Sequence, residues 1–467
     1  MCSAKPSSSA PTRSTRHCVA ETPVSVAPEP ATATLLAAAR EALRDNRLAE
    51  AERLYEAVLA AEPDTAEALH HLGMRAFAAG RLDEAERRLA HARRYAAGEA
   101  SLVANHGIVL RAIGRLDEAR VALRDAIRIE PTHFLARLQL GFVLEDLGRA
   151  REATAAFFGA LTTAQRQGRW LNAQTTAPPM RPLVEHAIRA IDHGRARLFA
   201  ELLAPLRAKH GMDAIRRVEK CLSIYLGALP AAYPDPRQKP LFLYLPDLPT
   251  VTFFDRALFP WYAVLEERAP AIRGELEAVM GDAAVFEPFL KFKPGQPTEE
   301  HLSGTRGEPH WDAYFFYRHG QRYDEHCARC PVTAAALDAV PLVRLRGHAP
   351  ECLYSKLTPG SHIRPHHGVT NTRVVTHLPL VVPGDGALRV GGEDHAWQFG
   401  RCITFDDTFL HEAWNHSAHT RVVVLLDTWN PYMSAAEIDA FTTLVLAIRD
   451  FAEEATLADP MVDHAHG

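Results

Sequence analysis

A period of 34 residues runs through the first third of the chain and constrains its fold more than any other feature. Four segments align at this spacing: NRLAEAERLYEAVLAAEP (46–63), GRLDEAERRLAHARRYAA (80–97), GRLDEARVALRDAIRIEP (114–131) and GRAREATAAFFGALTTAQ (148–165). Small residues recur at three positions of the repeat. The first set is Gly73, Gly107 and Gly141, the second is Asn46, Gly80, Gly114 and Gly148, and the third is Ala51, Ala85, Ala119 and Ala153. Because small residues allow close helix contact and tight turns, each unit is predicted to be a helical hairpin.

This pattern resembles the tetratricopeptide repeat. Pro63 and Pro131 end their units, and one equivalent position is apolar throughout, at Tyr55, Leu89, Leu123 and Phe157. A single hairpin cannot bury its apolar face, so four stacked units over residues 34–167 are predicted to form an α-solenoid. The resemblance implies a concave face that binds a peptide or protein partner. The alternative is a solenoid that only packs against the rest of the chain.

The remaining sequence divides into segments of different character. Residues 1–33 are rich in Ser, Pro, Thr and Ala and are predicted to form a disordered leader. Residues 168–233 are helical without a repeat, which predicts capping helices and a linker. A second domain is predicted over 234–435, where short β-rich runs from 341 onward favour a barrel or sandwich, and a C-terminal helix and tail over 436–467.

Composition excludes several classes of partner. A formal charge of -5 and 23% charged residues give no electrostatic footprint for nucleic acid or a membrane surface. The most apolar late run, RVVVLLDTW, is far shorter than the roughly 20 residues of a membrane span. Seven scattered cysteines do not indicate a disulfide framework, so a reducing, cytoplasmic location is expected.

Histidines concentrate in the β-rich part, where nine of the 24 fall between His348 and His419. The run VVTHLPLVV reads as a strand, and its period of two places Arg373, Val375 and His377 on one face. A later strand, TRVVVLLDTW, places Arg421, Val423, Leu425 and Asp427 on a common face. Such clustering predicts a metal site, although a lone histidine is more often an ordinary core or surface residue.

The spacing is similar to that of the double-stranded β-helix oxygenases, a jelly-roll or cupin-like fold. Those enzymes take one histidine from an early strand and a second from a late strand, with a basic residue about ten positions further on. His366, His411 and Arg421 match this order. The early histidine usually belongs to His-x-Asp/Glu, which completes a facial triad. Here Gly368 stands where that carboxylate is expected.

Residues from about 241 to 432 resemble the aspartyl/asparaginyl β-hydroxylase family. The motifs, in order, are LPDLPTVTFFD, IRGEL, CARCPVT, SKLTPGSHIRPHHGVTN, THLPL, ITFDDTFLHEAWN and RVVVLLDTWNP. The resemblance implies a hydroxylase that uses Fe(II), 2-oxoglutarate and O2 and in which His366 and His411 hold the metal without a protein carboxylate. It also implies that Ser355 and Arg421 hold the far carboxylate of 2-oxoglutarate, that His377 lies near its metal-binding end, and that Arg373 contacts an acidic substrate side chain.

Two positions depart from the family pattern. Val375 stands where the family has a second arginine, and Leu353 stands where hydroxylases of protein domains can carry a lysine. The first function predicted is hydroxylation of a peptide or protein side chain, of the Asp or Asn type, with the repeats recruiting substrate. The alternatives are a small molecule, a lipid or a natural-product intermediate as substrate, or a repeat scaffold with an inactive hydroxylase-like domain.

Other candidate residues receive structural interpretations. Cys327 and Cys330 form a lone CxxC, for which a packing role is favoured over zinc binding or redox chemistry. Asp406 and Asp407 are expected to order the turn before His411 and to partner the ligand ring. Adjacent to His366, His367 is expected to point away from the metal. Three further histidines are expected to be exposed: His362, His416 and His419.

Overall fold

The computed structural model describes residues 30–282, 285–290, 300–305 and 308–456. The chain divides into two compact units, Met1–Ile191 and Asp192–Gly467. Residues 1–29 of the predicted leader lie outside the described ranges. The last four residues of the predicted leader, 30–33, are helical rather than disordered, since they belong to helix α1 (Pro30–Arg44). This helix begins with a proline, which is well tolerated there because the first N–H groups of a helix have no intrahelical partner.

Unit 1 contains, within its described residues, eight helices that pair consecutively into four hairpins. The pairs are α1 with α2 (Leu48–Ala61), α3 (Ala66–Ala78) with α4 (Leu82–Tyr95), α5 (Ala100–Ala112) with α6 (Leu116–Ile129), and α7 (Phe134–Asp146) with α8 (Ala150–Arg166). The first helices of successive hairpins also contact one another, α3 with α5 and α5 with α7. The helical-repeat fold predicted from the 34-residue period is therefore confirmed.

The repeated glycines lie where the paired helices touch. A Cβ added at Gly107 would stand 2.8 Å from the side chain of Leu123, and one at Gly141 would stand 2.3 Å from Phe157. The turn glycine Gly114 has a φ of +80°, a conformation that other L residues rarely adopt. One set of glycines therefore permits close packing and the other permits the turn.

The helices predicted as a cap over 168–233 belong to both units. Helix α9 (Arg181–His210) follows the last hairpin, and His186 near its start contacts the ring of Phe157. The imidazole of His186 also lies 2.8 Å from the carboxylate of Glu145, so this part of α9 does cover the last hairpin. The boundary between the units falls inside α9, and the cap prediction is therefore wrong for the C-terminal part of this helix, which belongs to unit 2.

Helix α10 (Met212–Tyr225) packs against the last described helix, α15 (Ala435–Thr456). Apolar residues of α9, α10 and α15 form a common core, and Arg217 of α10 forms an ion pair with Glu437 of α15 at 2.5 Å. The C-terminal helix predicted at 436–467 is thus an integral part of unit 2. The end of that segment, 457–467, lies outside the described residues.

Within its described residues, unit 2 also contains two antiparallel sheets and four shorter α-helices. The helices are α11 (Tyr262–Glu266), α12 (Ala269–Met280), α13 (Asp324–Arg329) and α14 (Pro331–Asp338). The strands are β1 (Glu287–Pro288), β2 (Leu302–Gly304), β3 (Trp311–Arg318), β4 (Gln321–Arg322), β5 (Cys352–Leu357), β6 (Ser361–His366), β7 (Arg373–Val381), β8 (Gly386–Val390), β9 (Glu393–His395), β10 (Ile403–Phe405), β11 (His411–Asn415) and β12 (Arg421–Trp429). The order is β1-β3-β5-β12-β7-β10 in the larger sheet, with β4 beside β3, and β2-β6-β11-β8-β9 in the smaller.

The two sheets share an apolar core. Val375, Phe405 and Val423 come from the larger sheet, and Ile363 and Val390 come from the smaller. The opposite face of the larger sheet is covered by α11 to α14. This arrangement confirms the predicted sandwich or barrel class, while the finer jelly-roll assignment stays a prediction. Among the helices of the described ranges, none has the length and apolar composition needed to cross a membrane.

Candidate active site

The strands bring His366 and His411 together. His366 ends β6, His411 begins β11, and the two residues are directly opposite in the antiparallel register. Their ring centroids lie 4.0 Å apart. Two histidines that are distant in sequence therefore form one pair of imidazoles at the edge of the core between the sheets.

Main-chain carbonyls orient both imidazoles. The Nδ1 of His366 donates to the carbonyl of Arg364 at 2.8 Å, and the Nδ1 of His411 donates to that of Phe409 at 3.1 Å. Since each Nδ1 must carry the proton to donate, each Nε2 keeps a free lone pair. Burial lowers the pKa of His366 and lowers that of His411 well below the usual value. Both rings are therefore held in the neutral form that binds a metal ion.

The carboxylate that a facial triad would place beside the histidines has no room here. A Cβ added at Gly368 would stand 2.2 Å from the carboxylate of Asp407. Burial raises the pKa of Asp407 to about 7, and within the described ranges its Oδ1 has no hydrogen-bond partner. In the same ranges no group of three or more His, Cys, Asp or Glu residues is arranged to hold a metal ion.

The two aspartates before His411 have different roles. Asp406 accepts hydrogen bonds from the backbone N–H of Thr408 at 2.9 Å and from Gln238 at 2.8 Å, so it orders the turn as predicted. Asp407 partners the ligand ring through its main chain rather than its carboxylate, because the imidazole of His411 bonds to the main chain of Phe409 and of Asp407. Asp407 contributes its carbonyl, which accepts from the backbone N–H of Gly368 at 2.6 Å.

Arg421 is a buried cation that has no counter-charge among the described residues. It begins β12, is 1% exposed, and donates from Nη1 to the carbonyl of Ser355 at 3.2 Å and to its Oγ at 3.3 Å. The guanidinium lies 4.5 Å from the ring centroid of Trp397. Among the described residues its Nε has no hydrogen-bond partner. Burial lowers the pKa of Arg421 to about 9, and the guanidinium still keeps its proton at neutral pH.

His377 is buried near both His411 and Arg421. It is 5% exposed on β7, and its ring centroid is 5.2 Å from that of Phe405, which in turn is 5.8 Å from His411. Burial lowers the pKa of His377 well below the usual value, and the nearby Arg421 and His411 lower it further. The structure thus assembles the predicted residues His366, His411, His377, Ser355 and Arg421 around one region.

Arg373 occupies the same strand face but is engaged differently. Its Nη1 forms an ion pair with the buried Asp427 at 2.9 Å, and Asp427 also accepts from the backbone N–H of Glu351 at 3.1 Å. The Nε of Arg373 is buried and has no hydrogen-bond partner in the described part of the chain. Arg373 therefore retains one donor for a further group, as a substrate contact requires.

The two departures from the family pattern make the site less polar. Val375 lies between Asp427 on β12 and Phe405 on β10, is 7% exposed, and belongs to the core between the sheets. Leu353, fully buried on β5, pairs with Phe315 and Leu425. Apolar packing thus occupies both positions where the sequence resemblance implies a cation.

Sequence reasoning missed three features of the site: Trp311, Trp397 and the pairing of Asp427 with Arg373. Tryptophan is rare in this chain, which has six, so each one could have been considered as a site residue. The residue that a tryptophan contacts on another strand cannot be predicted from the local sequence pattern. His362 was expected to be exposed, yet it is half-buried and lies 2.7 Å from Glu412, so that prediction is wrong.

The other minor predictions agree with the structure. The Nδ1 of His367 donates to the carbonyl of Thr408 at 2.9 Å, which agrees with the expectation that this imidazole does not share the ligand role of His366. Cys327 and Cys330 are buried free thiols, and burial raises the pKa of both, which suits packing rather than redox chemistry.

Comparison with known proteins agrees with this site. Residues 266–431 match the family described as Aspartyl/Asparaginyl beta-hydroxylase. An ornithine lipid ester-linked acyl 2-hydroxylase of Rhizobium tropici is 32% identical over 198 residues, which cover 42% of this chain and 66% of that protein. Aspartate beta-hydroxylase domain-containing protein 2 of Xenopus tropicalis is 33% identical over 211 residues, which cover 44% of this chain and 55% of that protein.

These alignments identify the class of the second unit as a hydroxylase domain, and they span about 55 to 66% of the relatives' lengths. Residues 266–431 within the second unit therefore match the aspartyl/asparaginyl β-hydroxylase family, and the chain also carries an N-terminal helical-repeat unit. A solved structure described as YrrB, a TPR protein with an unusual peptide-binding site, aligns with 35% of this chain and 75% of its own at 20% identity, with a TM-score of 0.28. The repeat assignment rests on the helix pairing of unit 1 itself.

Proposed function

We propose that this protein is an Fe(II)- and 2-oxoglutarate-dependent hydroxylase that uses O2. The observation that carries the proposal is the buried Arg421, whose guanidinium has a free Nε and no counter-charge among the described residues. Burying a lone charge is costly unless an anion accompanies it. A planar guanidinium beside the Ser355 hydroxyl matches the geometry of a carboxylate, and 2-oxoglutarate has one at its far end.

The donor set fits iron held by two histidines. His366 and His411 present unprotonated Nε2 atoms, and both rings are oriented by carbonyls of their own chain. Iron with 2-oxoglutarate, when bound, would supply the activation of O2, which is the oxidant for oxygen insertion into a C–H bond. The chain supplies the rest: Arg421 and Ser355 orient the co-substrate, and the apolar core between the sheets excludes water.

A peptide or protein side chain is the first substrate proposed. Arg373 has a buried Nε that is free, among the described residues, to bond an acidic or amide side chain. The helical hairpins of unit 1 form a repeat array of the kind that binds peptide partners, and we propose that they recruit the substrate. The buried free cysteines agree with the cytoplasmic location predicted from sequence, which stays a prediction.

An acyl chain is a second candidate, favoured by a specific observation. Val375 and Leu353 replace two cations of the family pattern with buried apolar side chains. Buried apolar side chains at these two positions offer no partner to a charged substrate group, whereas an apolar chain needs none. One relative named above is an acyl 2-hydroxylase. The variants Val375→Arg and Leu353→Lys should then reduce acyl hydroxylation, and a loss of peptide hydroxylation instead would favour the first candidate.

Anaerobic titration tests the proposed chemistry. The wild-type protein is titrated with Fe(II) and 2-oxoglutarate, air is admitted, and succinate is measured by mass spectrometry. His366→Ala should abolish iron-dependent succinate, whereas His367→Ala, its neighbour in sequence, should leave most of it. If the wild type neither binds 2-oxoglutarate nor forms succinate with any candidate substrate, the enzyme proposal is refuted and the inactive scaffold becomes the better explanation.

A further inference from the structure

A single segment, residues 236–243, contacts both loops that flank the histidine pair. The backbone N–H of Lys239 donates to the carbonyl of Thr408 at 2.8 Å, in the turn before β11. The backbone N–H of Leu241 donates to the carbonyl of Gly368 at 3.0 Å, in the loop after β6. Because β6 ends and β11 begins at the histidine pair, this segment lies beside the candidate active site.

Large apolar side chains are exposed on these neighbouring segments. Leu241 is 59% exposed and Phe242 is 42% exposed, while Leu410, in the turn before β11, is 45% exposed. Apolar residues that are scattered singly over a surface need no explanation, whereas a group of them on adjacent segments indicates contact with an apolar partner. The surface beside the histidine pair has this character.

Two exposed cations accompany the apolar side chains. Lys239 lies on the segment itself, and Arg364 lies on β6, where its main-chain carbonyl holds the imidazole of His366. Neither cationic side chain forms an ion pair with another described residue. A third cation, Arg237, is by contrast neutralised by Asp235 at 2.6 Å. Two positive charges are therefore available to an anionic partner.

Acidic side chains are missing from the exposed part of these described segments. The runs 236–242 and 361–371 contain no Asp or Glu, and Asp406 and Asp407, in the turn before β11, are buried. The formal charge of -5 belongs to the whole chain, whereas a lipid surface acts mainly on charges within about 10 Å of it. The local surface thus combines apolar side chains with positive charge, which is complementary to an anionic bilayer.

We propose that a rim of five residues, Lys239, Leu241, Phe242, Arg364 and Leu410, docks this protein on an anionic lipid bilayer. The apolar side chains enter the headgroup region, and the two cations contact lipid phosphates. An acyl substrate then reaches the histidine pair from the bilayer, since both imidazoles are only half-buried. This inference rests on the second substrate candidate of the proposed function and names the surface that supplies that substrate.

Sedimentation with lipid vesicles tests the docking without turnover, because the whole chain is used in its metal-free form. The probes are vesicles of phosphatidylcholine with about 30% phosphatidylglycerol and vesicles of phosphatidylcholine alone. The wild type should sediment with the anionic vesicles and bind the neutral ones about tenfold or more weakly. Raising the salt concentration from about 0.05 to 0.5 M should release it from the anionic vesicles.

Serine substitutions measure the apolar contribution. The double variant Leu241→Ser with Phe242→Ser should lower the partition coefficient on anionic vesicles about tenfold or more, because it removes apolar surface that the bilayer buries. Met212→Ser is the matched control, since Met212 is 71% exposed at the start of α10 and does not belong to the rim. Its binding should stay within about twofold of the wild type. Thermal unfolding checks that all variants are folded.

Substitutions of the two cations measure the electrostatic contribution. Lys239→Ser and Arg364→Ser should each lower binding to anionic vesicles about fivefold and leave binding to neutral vesicles within about twofold. Arg401→Ser is the matched control. Arg401 is exposed and follows Gly400, whose backbone N–H donates to the carbonyl of Pro379 at 2.9 Å near the far end of β7. Its loss should leave binding to both kinds of vesicle unchanged.

The proposal is overturned if the wild type does not sediment with anionic vesicles, or if the folded rim variants sediment as the wild type does. A double variant that dissociates a dimer in analytical ultracentrifugation and keeps its vesicle binding would make the rim an interface between copies. Retained vesicle binding with a loss of peptide hydroxylation would assign the rim to a protein substrate instead.

The outcomes also separate the docking from the chemistry. The vesicle assay contains neither iron nor co-substrate, so its failure refutes the docking and leaves the proposed hydroxylase chemistry standing. A wild type that binds anionic vesicles through the rim but neither binds 2-oxoglutarate nor forms succinate refutes the proposed function and leaves the docking surface established.

Discussion

Replacing Arg421 with methionine should change the stability and the ligand binding of the protein in opposite directions, because in the part of the chain that the structure describes no anion accompanies this buried cation. Its pKa, lowered from the usual 12.5 to about 9, corresponds to roughly 5 kcal/mol of unfavourable free energy for the buried charged form. The bonds to Ser355 offset about 2 kcal/mol of this, and the contact with Trp397 offsets about another 2 kcal/mol. Methionine fills a similar volume and carries no charge. The ligand-free variant should therefore be about 1 kcal/mol more stable than the wild type.

The ligand should reverse this order. At a concentration of 2-oxoglutarate about 100 times its dissociation constant, binding stabilises the wild type by about 2.7 kcal/mol. The variant lacks the cation that holds the far carboxylate, so it should gain little. The two proteins should exchange rank between ligand-free and ligand-saturated samples, which chemical denaturation of the Fe(II)-loaded protein under anaerobic conditions would detect.

Arg373→Met is the matched control, because the same substitution there removes a cation that has a partner. Asp427 would be left buried and unpaired, and breaking such a pair costs about 3 to 5 kcal/mol. The two substitutions should thus change the free energy of unfolding in opposite directions. A ligand-free Arg421→Met protein that is destabilised by about 2 kcal/mol or more, or that binds 2-oxoglutarate as the wild type does, would refute the reasoning.

Three further changes have expected outcomes. Gly368→Asp should not add a metal ligand, because the new side chain would collide with Asp407. The collision should lower the free energy of unfolding by about 1 to 3 kcal/mol. If calorimetry showed that the variant binds iron more tightly than the wild type, the prediction would be contradicted. The carboxyl of Asp407 has a raised pKa of about 7, so between about pH 4 and 7 the native state holds a proton that the unfolded state releases. The free energy of unfolding of the metal-free protein should therefore fall by at most about 4 kcal/mol as the pH rises from about 4 to 7. Asp407→Asn should flatten this profile when chemical denaturation is measured at several pH values. Gly141→Ala should lower the melting temperature of unit 1, because a Cβ there would stand 2.3 Å from Phe157, whereas an unchanged temperature would show that the ring moves freely.

The local features of the chain were predictable because they depend on neighbours in sequence. A helical hairpin is a short-range unit, so the 34-residue period with its repeated small residues sufficed to predict unit 1. Strand alternation likewise placed Arg373 and His377 on one face and Arg421 on the face of a later strand. Family motifs then indicated which histidines would pair, and the register of β6 with β11 brings them together.

The features that the sequence alone could not decide depend on partners far apart along the chain. Helix α9 reads as one amphipathic run, and only packing shows that its end and α10 join α15 in the second unit. The pairing of Arg373 with Asp427 joins positions on adjacent strands, which gives the two arginines of the site opposite electrostatic states. The period of the strands and the family motifs sufficed to identify the histidines and arginines of the site. Tertiary contacts decided that Arg373 is paired with an anion and that Arg421 is not paired with one among the described residues. The reason is that desolvation and ion pairing depend on the groups that surround a charge in space.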